Sequence, residues 1–113
     1  MNSELAASYT ECQRVARRSA SSFYYSFLLL PKRKRMAMCA LYAFLRRTDD
    51  LGDGFAPLED RRRGLRAWRN SLARANRGLY DNALLPALID TVEAFDIPLE
   101  CLHSVIDLSL IHI

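Results

Sequence analysis

Four side chains near the middle of the chain could do chemistry together: Tyr42, Arg46, Asp49 and Asp53. On an α-helix, at about 100° per residue, all four fall within a stripe about 60° wide. The neighbouring Asp50 lies to one side of it. Carboxylates at this density near a helix C-terminus oppose the helix dipole unless a cation sits between them. Two hard carboxylates one turn apart suit Mg²⁺, which keeps several waters and is commonly held by one or two carboxylates plus phosphate oxygens. An arginine one turn earlier offers a planar fork of donors for a diphosphate. Tyr42 would add a ring face or a hydroxyl deeper in the site. Taken alone, an Asp-x-x-x-Asp spacing is common, and the plainer reading is a solvated helix end.

A second cluster, Ser21-Ser22-Phe23-Tyr24-Tyr25-Ser26-Phe27, precedes it. Serines at a helix start, beside free backbone N–H groups, can hold an anion. Phe23 and Phe27 share a face at i, i+4. That spacing is ordinarily core packing, but aromatic faces also stabilise a cation held against them.

The elements that must position these residues read as helices. Alanines and Val15 recur through residues 4–18. Phe23, Phe27 and Leu30 mark a short helix that Pro31 ends. Residues 32–50 form a long helix with Met36, Cys39, Ala40, Ala43 and Phe44 apolar, and Gly52, Gly54 and Pro57 predict a break after it. Leu65, Trp68, Leu72 and Ala75 define an amphipathic helix over 58–78, stopped near Gly78. Leu84 to Phe95 is the next helix, with Pro86 in its first turn, and a last one starts at Leu99 and reaches Asp107. No strand alternation, internal repeat or low-complexity linker is visible, so the expected class is all-α.

Composition sets the limits. The 113 residues suffice for one small domain with a real core. The chain is 50% apolar and 26% charged, which is ordinary for a globular protein. Its formal charge is 16 − 13 = +3. The excess is local, at Arg14, Arg17 and Arg18, at Lys32 to Arg35, and at Arg61 to Arg63. Such runs are usually solvated faces; the functional alternative is attraction of diphosphate or a lipid headgroup. Nucleic acid is not expected as a partner, because the arginines are scattered over three helices and no recognised nucleic-acid motif is present. Cys12, Cys39 and Cys101 are far apart, with no zinc-type spacing. The polar N-terminus lacks a signal-peptide pattern, and no apolar run is long enough to span a bilayer. The expected location is the cytoplasm, with peripheral membrane contact left open.

The two clusters together carry a resemblance. Residues 21–31, then Arg35, then Ala40-Leu41-Tyr42-Ala43-Phe44-Leu45-Arg46-Arg47-Thr48-Asp49-Asp50 with Asp53, resemble the N-terminal part of the squalene/phytoene synthase family. The serine–aromatic run is most similar to bacterial presqualene diphosphate synthases. The resemblance implies a partial isoprenoid synthase fold, a helical bundle. It also implies head-to-head (1′-1) condensation of two prenyl diphosphates through a cyclopropyl diphosphate. Farnesyl diphosphate giving presqualene diphosphate or squalene is the first expectation, and geranylgeranyl diphosphate giving phytoene the second. Mg²⁺, with Mn²⁺ as the alternative ion, is the implied cofactor; NADPH would serve only a squalene-forming reaction and is left open.

Carried over by position, Asp49 and Asp53 fall on the first aspartate-rich, metal-binding motif. Arg46 and Ser22 fall on diphosphate contacts, and Phe23, Phe27 and Tyr42 on positions lining the prenyl pocket. Tyr42 joins the two aspartates as a candidate catalytic residue. Ala20 and Gly52 depart from the usual residues, and a second aspartate-rich motif is absent. The expectation is therefore an N-terminal family segment over residues 1–107, inactive by itself, followed by a non-native tail over 108–113. A non-catalytic helical fragment that binds prenyl diphosphate or a partner is the competing expectation. His103 and His112 are expected to serve packing or surface roles.

Overall fold

A computed structural model describes residues 2–19 and 22–113, and of Phe23 the backbone only. The expectations placed on Ala20, Ser21 and the Phe23 ring lie outside the described residues. Six helices and no strand occur among those residues: α1 (Ser3–Ser19), α2 (Ser22–Phe27), α3 (Lys32–Asp53), α4 (Leu58–Ala75), α5 (Leu85–Ala94) and α6 (Leu99–His112). The all-α expectation holds. No helix among them is long and apolar enough to cross a membrane.

The longest helix, α3, touches all five others and is the axis of the fold. Its small buried residues Ala37, Cys39, Ala40 and Ala43 let α1 approach closely. Here Tyr9, Cys12 and Ala16 of α1 and Tyr24 and Phe27 of α2 complete a first apolar cluster. Lower on α3, Phe44 opens a second cluster with Leu65, Trp68 and Leu72 of α4, Leu85 and Leu88 of α5, and Leu102 and Ile106 of α6.

Polar contacts fix the helix pairs. Asn2 caps α1 by accepting from the Leu5 N–H at 2.7 Å. The Ala87 N–H, in the first turn of α5, donates to the Ser8 hydroxyl at 2.9 Å. The Tyr9 hydroxyl donates to Asp90 at 2.6 Å and lies 3.0 Å from the Thr91 hydroxyl. Burial, and then the Asp90 carboxylate, push the Tyr9 pKa up to about 12.

Four element boundaries differ from the sequence expectation, each for a visible reason. α2 ends at Phe27 rather than Leu30, because the Leu28, Leu29 and Leu30 N–H groups bond the carbonyls three residues back. α3 does not break at Gly52 but runs through it to Asp53. Gly52 is buried there, against Leu65 and Ile113. α4 stops at Ala75 rather than 78, because the Gly78 and Leu79 N–H groups fold back onto the Ala75 and Arg74 carbonyls. Gly78 takes φ = +82°, a left-handed conformation that suits glycine. α6 continues past Asp107 without a break, and Leu110 and Ile113 pack against the second cluster.

Candidate functional site

The stripe of chemistry-bearing residues faces outward because the opposite side of α3 is anchored. At about 100° per residue, Phe44 lies roughly 140–160° around the helix from Asp49 and Tyr42, and Thr48 roughly 100–120°. Phe44 stacks on Trp68 with ring centroids 5.8 Å apart. The buried Thr48 hydroxyl donates to the Phe44 carbonyl at 2.8 Å and accepts from the Trp68 indole N–H at 3.1 Å. Both groups are thereby satisfied in a dry interface, where an unpaired one would be costly. The same arrangement sets the rotation of α3 about its axis. Asp49 and Asp53 are exposed as a result, and Tyr42 and Arg46 half-buried.

The end of α3 is held from α4. Arg61 donates through one guanidinium nitrogen to the Gly52 carbonyl at 3.1 Å and through another to the Ala56 carbonyl at 3.0 Å. The first contact places positive charge on a carbonyl that the helix C-terminus leaves without a partner, and the second ties the following loop to it. The last turn, which carries Asp53, is therefore helical despite Gly52. Sequence reasoning treated Arg61 only as part of a basic run. Its signal was its spacing after the glycine–proline loop, where a cation can fold back on the helix end.

Arg46 is engaged differently from the simple stripe. Its guanidinium donates to one Asp50 oxygen twice, from Nε at 3.0 Å and from a terminal nitrogen at 2.5 Å. The Asp50 hydrogen bond above all, with a smaller contribution from Tyr42, holds the Arg46 pKa above its ordinary value. Asp50 thus orients the arginine while Asp49 and Asp53 make no side-chain hydrogen bond or ion pair among the described residues. An unspent pair of carboxylates beside a pre-oriented arginine fits a hard divalent cation that brings its own phosphate ligands. No group of three or more His, Cys, Asp or Glu side chains clusters for metal binding among the described residues. The donor set therefore suits a metal shared with a ligand rather than a closed protein cage.

The other candidate residues separate into two groups. Tyr42 packs on the first apolar cluster, next to Arg46 on α3. Phe27 is buried inside that cluster, at 8% exposure, and contributes a packed wall rather than an open face. Ser22 opens α2 and is exposed. No side-chain hydrogen bond ties Ser22 to Arg46 or the aspartates among the described residues. His103 sits on α6 with its Nδ1 buried and unpartnered, and burial pushes its pKa down.

Beside Arg46 lies a depression of about 260 Å³, lined by Val15, Ala43, Arg47, Asp50 and Leu84 among others. That is smaller than the roughly 300 Å³ at which enclosed small-molecule sites begin. Of the candidate residues Arg46 lines it, whereas Tyr42, Asp49, Asp53 and Phe27 do not.

The squalene/phytoene synthase family model matches residues 16–107. The chain is 33% identical over 103 residues, 91% of its length, to a 15-cis-phytoene synthase of Synechococcus elongatus. It is 37% identical over 90 residues, 77% of its length, to a presqualene diphosphate synthase of Rhodopseudomonas palustris. It spans 33% and 31% of those two relatives, so about a third of their length. The crystal structure of squalene synthase HpnC from Alicyclobacillus acidocaldarius superposes with a TM-score of 0.82 at 32% identity, over 95% of this chain and 40% of that one. The fold is thus part of the all-α isoprenoid synthase architecture. With most of its residues inside the family match, the chain belongs to the squalene/phytoene synthase family.

Proposed function

We propose that this chain forms the metal- and diphosphate-binding half of a head-to-head prenyltransferase acting on farnesyl diphosphate. One observation carries the reading: Asp49 and Asp53 are exposed on the outward side of α3, one and two turns beyond Arg46, and unpaired among the described residues. In this reading the two carboxylates hold Mg²⁺ or Mn²⁺, and the Arg46 fork binds a diphosphate oxygen. Ser22 adds a hydroxyl to the diphosphate contacts. Tyr42, packed on the apolar cluster that also buries Phe27, begins the wall of the prenyl pocket, and Phe23 is assigned to that wall by its place in the motif. When bound, the metal would neutralise the diphosphate and make it a better leaving group. The protein's part is to aim Arg46 at the same charge and to keep water from the allylic end. NADPH would enter only if the product is squalene.

Isothermal titration with farnesyl diphosphate tests the reading. Mg²⁺-dependent binding that disappears in Asp49→Ala is expected; binding that ignores both Mg²⁺ and Asp49 would overturn it. A second reading, geranylgeranyl diphosphate as substrate and phytoene as product, is favoured by the 15-cis-phytoene synthase of Synechococcus elongatus among the relatives. The same titration with geranylgeranyl diphosphate discriminates, at least tenfold tighter binding pointing to it.

A further inference from the structure

We propose that the corner between α2 and α3 docks on the surface of an anionic phospholipid bilayer. Three successive backbone hydrogen bonds close the corner: Leu28 N–H to the Tyr25 carbonyl, Leu29 N–H to Ser26, and Leu30 N–H to Phe27. The turn turns its large side chains outward. Leu29 is 87% exposed, Tyr25 70% and Leu28 45%. Leucines this exposed at a loop tip are not what a solvated corner needs.

Within a few residues come Lys32, Arg33, Lys34 and Arg35, the first three exposed and Arg35 half-buried. None of the four belongs to an ion pair among the described residues. Six arginines elsewhere are in ion pairs: Arg14 with Glu11, Arg46 with Asp50, Arg62 with Glu59, Arg63 with Asp60, Arg69 with Asp107 and Arg74 with Asp81. Of the others, Arg17 and Arg47 lie over the Tyr24 and Trp68 rings and Arg61 binds backbone carbonyls. One carboxylate, Asp90, lines the groove beside Lys32 and Arg33, and it already accepts from Tyr9. Arg33 also lies over the Phe95 ring, 5.5 Å from its centroid, which extends the apolar rim to the end of α5.

An apolar tip bordered by uncompensated cations has the chemistry of an interfacial anchor. The leucines and Tyr25 enter the boundary of the acyl region while the cations meet headgroup phosphates. Charge complementarity selects an anionic bilayer. A nucleic acid would satisfy the cations and leave the leucines in water. This docking surface stands independently of the roles given to Asp49 and Asp53.

Flotation of the 113-residue chain with vesicles tests it. Binding is expected to phosphatidylcholine vesicles that contain phosphatidylglycerol, with little to phosphatidylcholine alone, and it should fall as salt rises. At about fivefold per cation, Lys32→Ala/Lys34→Ala should weaken partitioning about 25-fold. Leu28→Ser/Leu29→Ser should weaken it as well, but leave the salt dependence of the residual binding unchanged. All four side chains are exposed, so both variants should keep the wild-type helical circular dichroism. Equal binding to the two vesicle types, or wild-type partitioning in both variants, would overturn the proposal. So would salt-sensitive binding to duplex DNA or to polyglutamate with none to vesicles.

Discussion

The guanidinium of Arg61, at the start of α4, donates to the carbonyl of Gly52 near the end of α3, at 3.1 Å. This contact joins the two helices where the candidate metal-binding turn ends. It satisfies a carbonyl that has no intrahelical partner at the negative end of a 22-residue helix. The helical turn beneath Asp53 therefore depends on a residue in the following helix.

Removal of that contact should loosen the site before it unfolds the protein. Arg61→Ala is expected to cost about 1–2 kcal/mol of stability and to weaken Mg²⁺-dependent farnesyl diphosphate binding more than Arg61→Lys does. Amide hydrogen exchange should speed up across residues 50–53 ahead of the rest of α3. Unchanged exchange there would mean that α3 holds its last turn by itself. Conversely, Gly52→Ala should be tolerated, since a Cβ at that position would meet Leu65 and Ile113 at 3.8 Å, ordinary contact. It should tighten the turn by about 0.5–1 kcal/mol.

The aspartates should behave unequally. Asp49→Ala should abolish metal-dependent binding with no change in melting temperature, because its carboxylate has no partner among the described residues. Asp50→Ala releases Arg46 from its hydrogen-bonded orientation. It should keep the metal dependence while reducing affinity for the diphosphate several-fold. Calorimetry at matched Mg²⁺ separates the two, and identical losses in both variants would contradict distinct roles.

Thr48→Val should be the more disruptive change at the α3–α4 interface. It leaves the buried Trp68 N–H without an acceptor, at a cost of about 1–3 kcal/mol. Serine in its place should retain most of the stability, because it keeps the hydroxyl. Urea denaturation followed by Trp68 fluorescence reads both.

Alkaline pH should weaken the α1–α5 contact. The Tyr9 pKa in the fold, about 12, exceeds its ordinary value of 10.0, so the neutral hydroxyl is the form the fold prefers. Its contribution is complete below pH 10 and is lost as pH rises through 12, on the order of 2 kcal/mol at most. Burial also raises Cys12 to about 12 from 9.0, so stability should begin to fall somewhat earlier. Circular dichroism across this range should show the decline, and Tyr9→Phe should flatten its upper part.

The sequence by itself determined the helices and the candidate stripe. Helical periodicity in Met36 to Phe44 and in Leu65 to Ala75 is a local property, and it reports which face each helix buries. The spacing of Tyr42, Arg46, Asp49 and Asp53 reports that they share a face on any helix that carries them. Only the tertiary structure decided which way that face points. The Phe44, Thr48 and Trp68 contacts turn it to the outside, and they join residues from two helices that no local pattern pairs. It also decided that Arg46 leans on Asp50, that Phe27 is buried in the first cluster, and that α3 crosses Gly52 intact. Each of these rests on a side chain choosing among several partners within reach, or on a cation arriving from another helix. Hydrophobic periodicity contains no information about those choices, because they are settled by the distances that packing creates.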